Sequence, residues 1–137
     1  HDVQKLEEMI YRRVSPGLFE EGVARKIALM SGGVARHLIK MVQDSCLYCA
    51  TFDIPRVTEE VVDWVINEFK KDFSRRLGHN DYVALRKIHE QKSCSDIEEA
   101  WEYLQSLCVL EYTNGSYWYD VHPIVQLLMQ ERETGSI

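Results

Sequence analysis

Long apolar runs are missing from this chain of 137 residues, and none approaches the ~18 residues that a membrane span requires. Nor does the start, His1-Asp2-Val3, carry an initiator Met or the basic-then-apolar pattern of a signal peptide. It reads as a fragment of a longer polypeptide, whose missing motifs would lie upstream. Four cysteines (Cys46, Cys49, Cys94 and Cys108) do not describe a disulfide framework, because Cys46 and Cys49 sit three apart in a helical pattern where a bridge would be strained. Free thiols in a reducing compartment are the simpler reading, which makes the expected location cytoplasmic. Basic residues run out late in the chain: from Ser95 onward Arg132 stands alone against eight acids. Residues 1–57 hold eight Lys/Arg against seven Asp/Glu, whereas residues 58–137 hold eight against fifteen. Such a surface repels phosphate backbones, which argues against nucleic acid as a partner.

What is present is enough apolar residue (45%) for a packed core, arranged mostly at helical spacing. Val3, Leu6, Ile10 and Val14 form one stripe of a first helix ending before Ser15-Pro16, where Ser15 can cap and Pro16 suits a first helical position. A second helix carries Val23, Ile27 and Met30 and stops at Ser31-Gly32-Gly33. A third, from about Val34, places Leu38, Met41, Val42, Ser45, Cys46 and Cys49 on one side. Pro55 makes residues 53–56 a connector, since the residue before proline avoids the helical region. Thr58 reads as an N-cap with Glu59 and Glu60 at the positive end of the helix dipole, opening a long helix through Val62, Ile66, Phe69 and Phe73 to about Leu77.

After a break at residues 78–80, Tyr82, Leu85 and Ile88 predict a short helix. Ser95-Asp96-Ile97-Glu98 has the form of a capping box, predicting a helix with Ile97, Trp101 and Leu104 turned inward. Two β-rich runs, 109–112 and 117–121, flank Thr113-Asn114-Gly115-Ser116, and Asn-Gly between such runs is a strong hairpin signal. A last helix, from about Pro123 to Glu131, buries Ile124, Leu127 and Leu128, and the end from Thr134 to Ile137 reads as frayed. The expected fold is therefore mainly α. A four-helix bundle is followed by a small α+β unit with one hairpin, without internal repeats or parallel-sheet alternation.

The ordered set of motifs in the first half resembles the lid subdomain of AAA+ ATPases. A first helix closes on arginine (Ile10-Tyr11-Arg12-Arg13), and a second runs through Ala24–Met30 into Ser31-Gly32-Gly33. A third opens Gly33-Val34-Ala35-Arg36, and a fourth begins Thr58-Glu59-Glu60-Val61-Val62. The second half is similar to the winged-helix units that follow such lids, but it has room for one full helix where DNA-binding versions have two. The run Trp118–Pro123 also resembles the ends of some uncharacterised bacterial ATPases. The resemblance divides the chain at 1–66 and 67–137, bridged by the helix from about residue 58.

The resemblance also implies a role for Arg36 as a sensor-type arginine, reaching the γ-phosphate of a nucleotide held by an upstream P-loop domain. The residues agree with it: Gly32 and Gly33 leave the start of the third helix open, so its free N–H groups and dipole point outward, and an arginine there adds a fork matched to phosphate oxygens. The plainer reading pairs Arg36 with a surface acid. No Gly-x-x-x-x-Gly-Lys-Ser/Thr loop and no acidic Mg²⁺ ligand after a buried strand occur, so no catalytic residues are expected here. ATP and Mg²⁺ are implied for the parent protein alone, whose partners would include the upstream ATPase domain.

Other constellations favour structural roles. Cys46-x-x-Cys49 lacks a second close pair for zinc, and His122-Pro123 has no nucleophile motif beside it and reads as a junction residue. Lys70, Lys71, Arg75 and Arg76 interleave with Glu68 and Asp72, as on a solvated helix face with local ion pairs. In the hairpin, Trp118 must face away from Tyr117 and Tyr119, so one aromatic face is free for a second copy or a protein partner. Two other functions compete with the ATPase lid: a freestanding winged-helix DNA-binding regulator, and a helical adaptor without nucleotide chemistry. The acidic Asp96, Glu98, Glu99 and Glu102, and a wing without Lys or Arg, speak against the first of these.

Overall fold

The computed structural model describes residues 3–135, and it is mainly helical with one antiparallel hairpin. Two compact units meet in sequence between Phe69 and Lys70. Helix α4 (Glu59–Ser74) runs through that boundary.

In the first unit, α1 (Val3–Arg13), α2 (Val23–Met30) and α3 (Ala35–Thr51) pack on one another. The stripes expected from the sequence supply the core: Leu6 and Ile10 from α1, Ile27 and Ala28 from α2, and Leu38, Met41, Val42 and Cys49 from α3 are all buried. Ser15 precedes a 3₁₀ turn (Pro16–Leu18) without a side-chain capping bond. Phe19 and Val57 form a parallel bridge, in which the Val57 N–H donates to Leu18 O (2.7 Å) and the Glu20 N–H to Val57 O (3.0 Å). Arg56 secures the same crossing by donating to Gly17 O (3.1 Å) and Phe19 O (2.7 Å). Thr58 caps α4 as expected, its Oγ1 accepting from the Val61 N–H at 3.3 Å. Lys26 ties α2 to α4 through Asp63 (2.6 Å) and Glu59 (3.0 Å), and these carboxylates outweigh the burial that would otherwise lower its pKa.

The second unit contains α5 (His79–Gln91), α6 (Ala100–Gln105), β1 (Val109–Thr113), β2 (Tyr117–Val121) and α7 (Pro123–Glu133). The strands pair from Val109↔Val121 to Thr113↔Tyr117, leaving the three-residue loop Asn114-Gly115-Ser116, where Gly115 takes φ +98°. Asp81 organises one side of this unit. Its Oδ2 accepts from the Gly78 N–H (2.7 Å) at the start of α5, and its Oδ1 accepts from the buried Tyr103 hydroxyl (2.8 Å). Lys92 closes α5 with φ +55°, accepts from the Tyr119 N–H (2.9 Å), and places its ammonium 2.8 Å from Asp120.

Four sequence expectations differ from the structure. The capping box at Ser95–Glu98 does not form: Asp96 adopts φ +68° and the helix starts at Ala100, so the predicted inward stripe loses its phase. Trp101 is consequently 68% exposed, and Tyr103 is the buried aromatic of α6, favoured because its hydroxyl finds Asp81. The long helix from Thr58 ends at Ser74 rather than near Leu77, and the helix around Leu85 spans thirteen residues rather than being short. Of the end expected to fray, Thr134 serves as the C-cap of α7, while residues 136 and 137 lie outside the described residues.

Candidate functional site

The loop between α2 and α3 is built by a buried serine and two left-handed glycines. Ser31, fully buried, donates from Oγ to Ala28 O (2.7 Å) and accepts from the Gly33 N–H (3.2 Å). Gly32 (φ +66°) is buried and Gly33 (φ +87°) half-buried, a succession that side-chain-bearing residues adopt only with strain. The Gly32 and Val34 N–H groups bond back to Leu29 O (3.3 Å) and Ser31 O (3.1 Å), so the loop satisfies its own backbone. Sequence reasoning found Ser31-Gly32-Gly33 as the stop of α2 but not the two hydrogen bonds by which buried Ser31 holds the turn.

Helix α3 then begins with Val34 as N-cap, a residue whose side chain offers the first-turn N–H groups nothing. Arg36 stands in that first turn, exposed and on the side away from Leu38, Met41 and Val42. Among the described residues it makes no hydrogen bond or ion pair, in contrast to Lys40, which pairs with Asp44 at 3.0 Å one turn later. The structure thus brings Gly32, Gly33 and Arg36 together at one helix start, with an uncapped first turn and an unneutralised guanidinium.

The remaining polar clusters are engaged within their units. His122 is buried, caps α7 by accepting from the Ile124 N–H at 3.1 Å, and packs on Phe73 (5.1 Å between centroids), so it is the junction residue the sequence suggested. Cys49 Sγ lies 3.6 Å from Arg56 O, and burial raises the pKa of both Cys46 and Cys49. Among the described residues no three His, Cys, Asp or Glu side chains gather as a metal site would need, and no helix is long and apolar enough to cross a membrane. Arg75 pairs locally with Asp72 (3.1 Å), but Lys70 reaches Glu131 of α7 and Arg76 lies over the Phe73 ring (4.9 Å). On the hairpin, Tyr112 stacks on Trp118 (4.6 Å), Tyr119 donates to Glu111 on the other face (2.9 Å), and Tyr117 is exposed.

No known family model, curated protein or solved structure matches the chain.

Proposed function

We propose that this chain is the lid and winged-helix-like portion of a P-loop ATPase, presenting Arg36 to the phosphates of a nucleotide held by an upstream domain. The observation that carries the reading is the exposed, unpaired Arg36 guanidinium in the first turn of a helix without a side-chain cap. That donor set fits a phosphate oxygen: first-turn N–H groups and the helix dipole attract negative charge, and the planar fork supplies paired charge-assisted bonds. ATP bound upstream would supply the scissile phosphoanhydride, with Mg²⁺ held by the upstream domain. Arg36 would add positive charge where the γ-phosphate oxygens gather it, and the turn that Gly32 and Gly33 permit would set it at the helix start. The adjoining unit would offer partners the exposed Tyr117 of its hairpin.

The DNA-binding alternative is weaker on specific grounds. Helix α6 has six residues and no Lys or Arg, and the hairpin loop Asn114-Gly115-Ser116 is uncharged, so neither a recognition helix nor a basic wing is offered. The adaptor reading competes directly, and the coding sequence upstream of His1 separates them. It should encode a Gly-x-x-x-x-Gly-Lys-Ser/Thr loop, and the protein carrying both parts should hydrolyse ATP. An upstream region without that loop would give the lead to the adaptor.

A further inference from the structure

Helices α3 and α4 of the first unit carry a second feature that the reading of Arg36 does not use. Tyr48 meets Trp64 with ring centroids 4.8 Å apart, and Tyr48 also meets Phe52 at 4.7 Å. These rings, with Leu47, Asp44 and Glu68, line a groove of about 410 Å³. Leu47 is 66% exposed, Phe52 62% and Trp64 44%, a concentration of outward apolar surface that a helix pair has no internal reason to display. His37 meets Phe69 as Tyr48 meets Trp64, so the two helices run antiparallel. The groove therefore sets the carboxylates of Asp44 and Glu68 beside the tilted rings of Tyr48, Phe52 and Trp64. No Lys or Arg lines it. Asp44 also holds Lys40, through an exposed pair one helical turn apart, which a competing cation can displace.

We propose that this groove docks a segment of a partner protein that combines aliphatic side chains with lysine or arginine. The aromatic faces attract a cation through their quadrupoles, tryptophan most strongly, while Asp44 and Glu68 compensate its charge. Leu47 and Phe52 suit aliphatic neighbours of that cation. From Asp44 to Phe52, the C-cap of α3, the chain extends about 12 Å at 1.5 Å per residue, room for two turns of an amphipathic helix.

The test uses fluorescein-labelled twelve-residue peptides, one with leucines on one helical face and lysines flanking it, the other with glutamate replacing each lysine. Anisotropy should give the basic peptide a dissociation constant on the order of tens of micromolar, with the acidic peptide about tenfold weaker or worse. Trp64→Ala should weaken the basic peptide by about tenfold, and Leu47→Ala by about threefold as a variant whose side chain is mostly exposed. Asp44→Asn with Glu68→Gln should retain binding while reducing the preference for the basic peptide to under about threefold. Equal binding of the two peptides, no saturable binding of the basic one, or full affinity in both Trp64→Ala and Leu47→Ala would overturn the proposal. So would concentration-dependent dimerisation that Trp64→Ala abolishes, because the occupant would then be a second copy of the chain.

Discussion

The two units differ in the rings they bury: Phe19 and Phe69 in the first, and the hydrogen-bonded Tyr103 and His122 beside Phe73 and Tyr82 in the second. In the first, the core is largely aliphatic, built on Ile10, Ile27, Leu38, Met41, Val61 and Val65, while Tyr48, Phe52 and Trp64 gather at the surface. In the second, Tyr103 is buried on Asp81 and His122 between Phe73 and the start of α7, while Tyr119 bonds Glu111 at the surface and Trp101 and Tyr117 are exposed. Net charge does not explain the difference, since each unit has eight Lys/Arg and eleven Asp/Glu. Helix-on-helix packing in the first unit, in which branched aliphatic residues interdigitate, fills most of its interior without polar rings. In the second unit, with its three helices and hairpin, Leu85, Ile88, Ile124 and Val125 are likewise buried, and the hydrogen-bonded Tyr103 and His122 join them in the interior.

That contrast can be broken in measurable ways. Leu38→Ala, which opens a cavity among aliphatic neighbours, should cost about 2–5 kcal/mol in chemical denaturation. His122→Ala should cost nearly as much, about 2–4 kcal/mol, because a buried ring and a helix cap are lost together; His122→Asn should recover about 1 kcal/mol by restoring the acceptor. A loss below 1 kcal/mol in His122→Ala would show that the ring is not part of the second unit's interior.

Smaller effects sharpen the same point. Tyr103→Phe should cost about 1–2 kcal/mol, since Asp81 loses a buried donor. It should also alter the alkaline limb of stability. Burial, with the Asp81 bond next, raises the Tyr103 phenol well above its ordinary value of 10, and burial with Asp120 carries Tyr112 up to about 12. Both phenols are favoured neutral in the fold, so their stabilisation is complete below pH 10 and drains away as pH rises through the folded values. Denaturation midpoints should therefore fall above about pH 10, less steeply in Tyr103→Phe. Unchanged steepness would mean that Tyr103 does not carry the effect. Trp101→Ala, at an exposed position, should stay within about 0.5 kcal/mol of the parent, and a larger loss would place the indole inside.

Much of the fold was legible because its signals are local. Thr58 announces a cap, Asn114-Gly115 a hairpin, and the spacing of Leu38, Met41, Val42, Ser45 and Cys49 a buried face, and each is observed. Trp101 was misread because Ser95–Glu98 satisfies a local pattern that tertiary contacts override, and a six-residue helix has too few positions for periodicity to decide between Trp101 and Tyr103. The Phe19–Val57 bridge has no sequence signal, since a single pairing between residues 38 apart in sequence leaves no alternation to detect. At the candidate site, Gly32, Gly33 and Arg36 were readable as residue types, whereas the absence of a partner for Arg36 was not. The aromatic groove was likewise invisible: Tyr48 and Trp64 lie on separate helices, and only packing brings them to 4.8 Å.

Arg36→Ala tests the central claim most directly when ATP turnover of the protein carrying the upstream domain is measured beside the thermal midpoint of the same variant. A guanidinium that meets phosphate, yet touches nothing in the core, should lower turnover by about tenfold or more while shifting stability by less than about 1 kcal/mol. Arg36→Lys should recover little, because a point charge on a flexible stem does not reproduce the fork. Turnover unchanged in Arg36→Ala would contradict the account and leave the chain an adaptor.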